Sequence, residues 1–149
     1  MSEIRWAIMD RLCLFDLPGS EEEMRRVAEQ TGMGLLIQLY DPSIPKERDL
    51  DWSKVAAEMN FEVKKIEAPD FQAPKAVPGL ISELAKHTLE AFTADECVGI
   101  HCGYGKGRTG TMALVLMAEL IKQSGSCSES EAQLKYIEQY LEGAWMGKC

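Results

Sequence analysis

At 149 residues, 46% of them hydrophobic and 27% charged, the chain is long enough to bury one good core and too apolar to be disordered. Its net charge of −8 argues against nucleic acid and anionic membranes as broad partners, because both require a basic face. No run approaches the ~20 apolar residues of a membrane span.

The opening Met1-Ser2-Glu3-Ile4-Arg5-Trp6 carries no basic-then-apolar export signal, and Cys149 in last place makes no C-a-a-X box. A single cytoplasmic domain over residues 1–149, acting as a monomer, is expected. The five cysteines, Cys13, Cys97, Cys102, Cys127 and Cys149, lack the spacing of a disulfide framework, so their thiols are expected to be reduced. Cys97 and Cys102 are separated by strand-like residues spanning roughly 16 Å, beyond disulfide reach.

Trp6 to Phe15 is rich in apolar and aromatic residues and reads as two short strands turning near Met9-Asp10-Arg11. Pro18-Gly19-Ser20 stops that sheet. Ser20 and Glu23 form a capping box for a helix over Glu21 to Gln30, ended by Thr31-Gly32-Met33-Gly34. Leu35 to Tyr40 is an apolar run, expected as a central strand. Asp41 to Arg48 is polar and proline-containing, and reads as the longest irregular stretch.

Asp51 or Ser53 starts a short helix through Met59 that carries Trp52, Val55 and Ala56 inward. Phe61 to Ile66 alternates apolar and charged residues as a half-buried strand does. It leads into a second proline loop, Glu67 to Pro74. From about Ala76 to Phe92, Val77, Leu80, Ile81, Leu84, Ala85, Thr88 and Leu89 recur at helical spacing, with His87 mid-helix and expected to face solvent. A strand over Cys97 to Ile100 and a helix from Thr109 to about Gln123 follow. Ser128 with Glu131 caps a last helix to about Glu142. Strands alternating with helices imply an α/β sandwich around a mainly parallel central sheet, with sites at the carboxyl ends of its strands.

The last strand meets its helix through His101-Cys102-Gly103-Tyr104-Gly105-Lys106-Gly107-Arg108-Thr109-Gly110. A glycine-rich turn into a helix start holds an anion well, since its N–H groups converge and the helix dipole adds positive potential. A thiol in that field is held as the nucleophilic thiolate. Arg108 can return a planar two-pronged donor to the bound oxyanion. Nucleophilic sulfur under a phosphate cradle implies phosphoryl transfer through a cysteinyl-phosphate. A merely structural Cys102 would leave the loop glycines, Arg108 and the helix start unexplained. For Arg108 the bland alternative is a surface salt bridge.

His101-Cys102-x5-Arg108-Thr109 resembles the signature of the cysteine-dependent protein tyrosine phosphatases, and Gly105 to Thr111 is most similar to small atypical dual-specificity members. The resemblance implies a protein tyrosine phosphatase-like fold and Cys102 as nucleophile. It implies Gly103, Tyr104, Gly105, Lys106, Gly107 and Arg108 as the phosphate cradle, Arg108 also stabilising the transition state. His101 would orient the loop from behind. Thr109 would donate its hydroxyl to the departing sulfur, or act simply as an N-cap.

Pro69-Asp70-Phe71-Gln72-Ala73-Pro74 is similar to the family's acid loop, which makes Asp70 the general acid. Glu67, Asp41 and Asp49 are weaker alternatives, and Phe71 and Tyr104 would flank an aromatic leaving group. The substrate implied is phosphotyrosine on a protein or peptide, with phosphoserine and phosphothreonine also open, and with no cofactor and no metal. The chain's end departs from the family, which has an Arg-Pro turn and then an acid or amide that positions the hydrolytic water. Glu138, Gln139 and Glu142 are the residues here that stand near enough in sequence.

Lys106 carries a second reading. The phosphoinositide 3-phosphatase branch shares Gly-Lys-Gly-Arg-Thr-Gly but has a lysine directly after its cysteine, where this chain has Gly103. A phospho-binding module without turnover is a third. The match of Gly105 to Gly110 to the dinucleotide fingerprint is rejected, because it comes too late for a doubly wound domain. With only His87 and His101 as histidines and no Cys-x2-Cys pair, no metal site is expected.

Overall fold

The apolar opening run folds as a hairpin, β1 (Arg5–Ile8) antiparallel to β2 (Leu12–Phe15), with Asp10 at φ 61° in its turn. The computed structural model describes residues 3–68, 78–103 and 107–123. Helix α1 (Glu21–Thr31) follows, and its cap is a variant of the expected box. Ser20 Oγ accepts the Glu23 N–H (3.1 Å), while the Glu23 carboxylate accepts the N–H of Gly19 (2.8 Å).

Strand β3 (Met33–Tyr40) begins inside the stretch expected to end that helix. The segment after it is not wholly irregular, as the sequence suggested. Pro45, with its φ preset for the first helical position, opens a one-turn helix, α2 (Pro45–Arg48). Helix α3 (Ser53–Met59) starts where Asp51 Oδ1 accepts the Ser53 N–H and hydroxyl (2.9 and 2.6 Å), and Trp52, Val55 and Ala56 are buried as expected.

Strand β4 (Glu62–Glu67), helix α4 (Pro78–Thr93), strand β5 (Cys97–His101) and helix α5 (Gly107–Gln123) complete the described chain. The sheet order is β1-β2-β5-β3-β4, with every pairing parallel except the hairpin. This is the mainly parallel α/β sandwich that the strand–helix alternation implies.

All five residues of β5 are buried. Gly99 is closely packed there, since a Cβ would stand 2.9 Å from Met33 Sδ and 3.0 Å from Phe15 Cε1. One sheet face carries Leu12, Leu35, Ile37, Leu39, Val98 and Ile100 against α4 and α5. The other carries Cys13, Phe15, Leu36 and Cys97 against α1 and α3. Gln38, buried on β3, donates to the Leu50 carbonyl (3.1 Å), as a buried amide must.

Two expectations are corrected. His87 is half-buried rather than solvent-facing, and its Nδ1 is buried without a partner. Thr109 is not an N-cap, because α5 begins two residues earlier at Gly107. The helix expected over Ser128–Glu142 lies outside the described residues, as do Glu138, Gln139, Cys127 and Cys149. No helix among the described residues is long and apolar enough to cross a membrane.

Candidate functional site

Parallel pairing brings the carboxyl ends of β3, β4 and β5 side by side. From β5 come His101, Cys102 and Gly103; from the segment after β3 comes Glu47; from the end of β4 comes Ala68. The Ala68 N–H donates to the Tyr40 carbonyl (2.7 Å), which fastens the exit of β4 to that of β3. Arg108, in the first turn of α5, joins them.

The Arg108 guanidinium is buried and gripped end-on by Glu47, NH1 to Oε1 at 2.6 Å and NH2 to Oε2 at 2.8 Å. NH1 also donates to the Ala68 carbonyl (2.9 Å). Glu47 Oε1 accepts in addition the Asp41 N–H (2.8 Å). A two-pronged pair of this kind fixes both the position and the plane of the guanidinium. The ion pair of Arg108 is thus buried, not at the surface.

Gly103 adjoins the pair. A Cβ there would stand 2.9 Å from Arg108 NH2 and well inside contact distance of Glu47 Oε2. Cys102 is itself buried, 2% exposed, beside the base of the same loop.

Behind the loop, the Trp52 indole N–H donates to His101 Nε2 (2.9 Å). A neutral imidazole has one donor and one acceptor nitrogen, so the proton sits on Nδ1 and is donated to the Cys102 carbonyl, 3.2 Å away. Burial pushes the imidazole pKa down to about 4, against smaller opposing effects from the Cys102 carbonyl and Glu47. His101 is thus neutral and bonded at both nitrogens.

The Thr109 hydroxyl is fully buried and has no hydrogen-bond partner. Asp41 Oδ1 accepts the N–H and hydroxyl of Ser43 (2.8 and 2.7 Å), Asp49 pairs with Arg48 in solvent, and Glu67 is exposed. Asp70, Phe71, Tyr104, Gly105 and Lys106 lie outside the described residues, and Gly107 is placed as the first residue of α5. Cys13 meets Cys97 across β2 and β5, on the sheet face opposite the one to which Cys102 belongs; this contact and burial push the Cys13 thiol up.

Sequence reasoning missed Glu47, and it placed Trp52 inward without its partner. The signal for Glu47 was Pro45 in a segment leaving the carboxyl end of a parallel strand. That for Trp52 was a buried indole N–H, which needs an acceptor.

The fold and the family together define a cysteine-dependent phosphatase of the protein tyrosine phosphatase fold. The chain belongs to the family described as PTP-SAK, Swiss Army Knife protein, DSP-PTPase phosphatase domain, whose model matches residues 1–139. Among solved structures, PTPMT1 in complex with PI(5)P has a similar fold at TM-score 0.61 and 18% identity, over 90% of this chain and 94% of that one. Tk-PTP in its active form matches at TM-score 0.58 and 23% identity, over 87% of this chain and 78% of that one. The PTP-2 phosphatase of Cydia pomonella matches at TM-score 0.60 and 18% identity, over 91% and 80%.

Proposed function

We propose that the protein hydrolyses phosphotyrosine on proteins or peptides through a cysteinyl-phosphate, with Cys102 as nucleophile, Arg108 as phosphoryl ligand and Asp70 as general acid. In the first step the Cys102 sulfur attacks phosphorus, the bond to the leaving phenolic oxygen breaks, and that oxygen takes the proton of Asp70. In the second, water gives its proton to Asp70 and attacks phosphorus, breaking the S–P bond and releasing phosphate.

The observation that carries this reading is the immobilised Arg108 guanidinium against Gly103, the residue that follows Cys102. Glu47 takes its NH1–NH2 end; the Nε–NH2 edge is the second two-pronged face of the same plane, with the geometry to span two phosphoryl oxygens. The Ala68 carbonyl that Arg108 holds lies two residues before Asp70, which ties the start of the acid loop to the phosphate ligand.

The phosphoinositide alternative draws on Lys106 and on the likeness to PTPMT1 in complex with PI(5)P. Against it stand the net charge of −8 and Gly103, which Glu47 and Arg108 pack against and where that branch carries a lysine. The deciding experiment compares kcat/KM for a phosphotyrosyl peptide, a phosphoseryl peptide and soluble short-chain phosphoinositides. The phosphotyrosyl peptide is expected to lead. A preference for the inositol lipids would replace this substrate with the alternative.

A further inference from the structure

We propose that Trp52 is a positioning residue for the reaction: its indole N–H selects the His101 tautomer that holds the Cys102 carbonyl, and so aims the Gly103 amide into the phosphate cradle. This rests on the reading of Cys102 as nucleophile. Trp52 is 1% exposed, and an indole has one donor and no acceptor. That donor goes to His101 Nε2 at 2.9 Å. The opposite tautomer would set two N–H groups against each other at Nε2 and two lone pairs against each other at Nδ1, where the Cys102 carbonyl stands at 3.2 Å. Only one proton placement satisfies both neighbours.

The ring is also walled in. Phe15 lies 5.2 Å from it and Trp52 5.6 Å, centroid to centroid. Trp52 in turn meets Phe15 and Phe61 edge-on, at 6.1 and 6.0 Å.

The effect on the cradle follows from peptide planarity. Across a trans peptide the carbonyl oxygen and the following N–H point in opposite directions, and no described peptide is cis. Holding the Cys102 carbonyl toward His101 therefore turns the Gly103 N–H to the side away from the imidazole. Packing alone would be served by any ring of this size; the proton placement needs the N–H. A support of this kind preorganises the groups that bind the transition state.

The test replaces Trp52 with benzothienylalanine, which keeps both rings and puts sulfur in place of N–H, and separately makes Trp52→Phe, both in the full chain. The readouts are the His101 ring-nitrogen NMR shifts in a His87→Gln background, kcat and KM for a phosphotyrosyl peptide, and the affinity for vanadate. Loss of the N–H is expected to abolish the fixed Nδ1–H signature and to lower kcat and vanadate affinity about tenfold each, with KM nearly unchanged.

If the isostere keeps kcat and vanadate affinity, Trp52 only packs and the proposal is overturned. If Trp52→Phe does not fold, the isostere, which has tryptophan's shape, decides. Cys102→Ser is run beside them: turnover by that variant overturns the nucleophile assignment itself, whereas an inactive Cys102→Ser with an unaffected isostere overturns only the role of Trp52.

Discussion

Glu47 and Arg108, 61 residues apart in the chain, meet as a buried two-pronged pair at 2.6 and 2.8 Å, and Glu47 Oε1 is shared with the Asp41 N–H. Neither group is exposed enough for water to replace the other. Removing one partner leaves a buried charge without its match, which costs about 3–5 kcal/mol. Glu47→Ala is therefore expected to lower unfolding free energy by about that amount and kcat/KM about a hundredfold, because the guanidinium loses its fixed plane. Urea unfolding and steady-state kinetics read the two effects. Glu47→Gln, which keeps an acceptor, is expected to fall between Glu47→Ala and wild type.

Gly103 is where that pair meets the proposed phosphate cradle. A side chain there must displace both Glu47 Oε2 and Arg108 NH2. Gly103→Ala is expected to reduce kcat/KM about tenfold or more, and Gly103→Ala in a Glu47→Ala background to cost less, since the closer of its two clashes, with Glu47, is gone and the Arg108 guanidinium is freer to yield. A double-mutant cycle on kcat/KM measures the coupling. Additive losses would mean that Gly103 and Glu47 act separately.

His101 gives the fold a pH dependence whose sign is fixed. Its folded-state pKa of about 4 lies below the ordinary imidazole value of 6.5, chiefly through burial. Between those values the unfolded chain binds a proton that the folded chain does not. Stability from this group is whole above about pH 6.5, falls as pH drops through that window, and levels off below about 4, a loss of about 3 kcal/mol in all. Urea titrations from pH 7 to 4.5 on wild type and His101→Gln are expected to show the steeper fall in wild type. Parallel curves would show that His101 does not titrate on unfolding.

The hairpin, the Ser20 cap, β5 and the helix after the signature were legible because each rests on local information: apolar period, cap chemistry and glycine placement. So was the family, since Cys102 and Arg108 stand only six residues apart in the sequence. Glu47 was not legible, because its partner is remote in sequence and the proline-rich polar segment around it reads as loop. Pro45 at a first helical position marks that turn in hindsight. For His87 the spacing itself held the answer. Leu80 and Leu84 lie seven and three residues before it, which puts it on the border of the apolar stripe rather than opposite it. Trp52 was read as inward correctly; its tie to His101 depends on β5 and the start of α3 meeting in space.

In the proposed mechanism phosphate passes through the Cys102 sulfur. Pre-steady-state hydrolysis of a phosphotyrosyl substrate by wild type, Cys102→Ser and Asp70→Asn tests it most directly. Turnover is expected from wild type, none from Cys102→Ser and strongly slowed turnover from Asp70→Asn, with a product burst in wild type where breakdown of the phosphoenzyme is the slower step. Turnover by Cys102→Ser, or a wild type that binds the phosphopeptide and never releases phosphate, would contradict it.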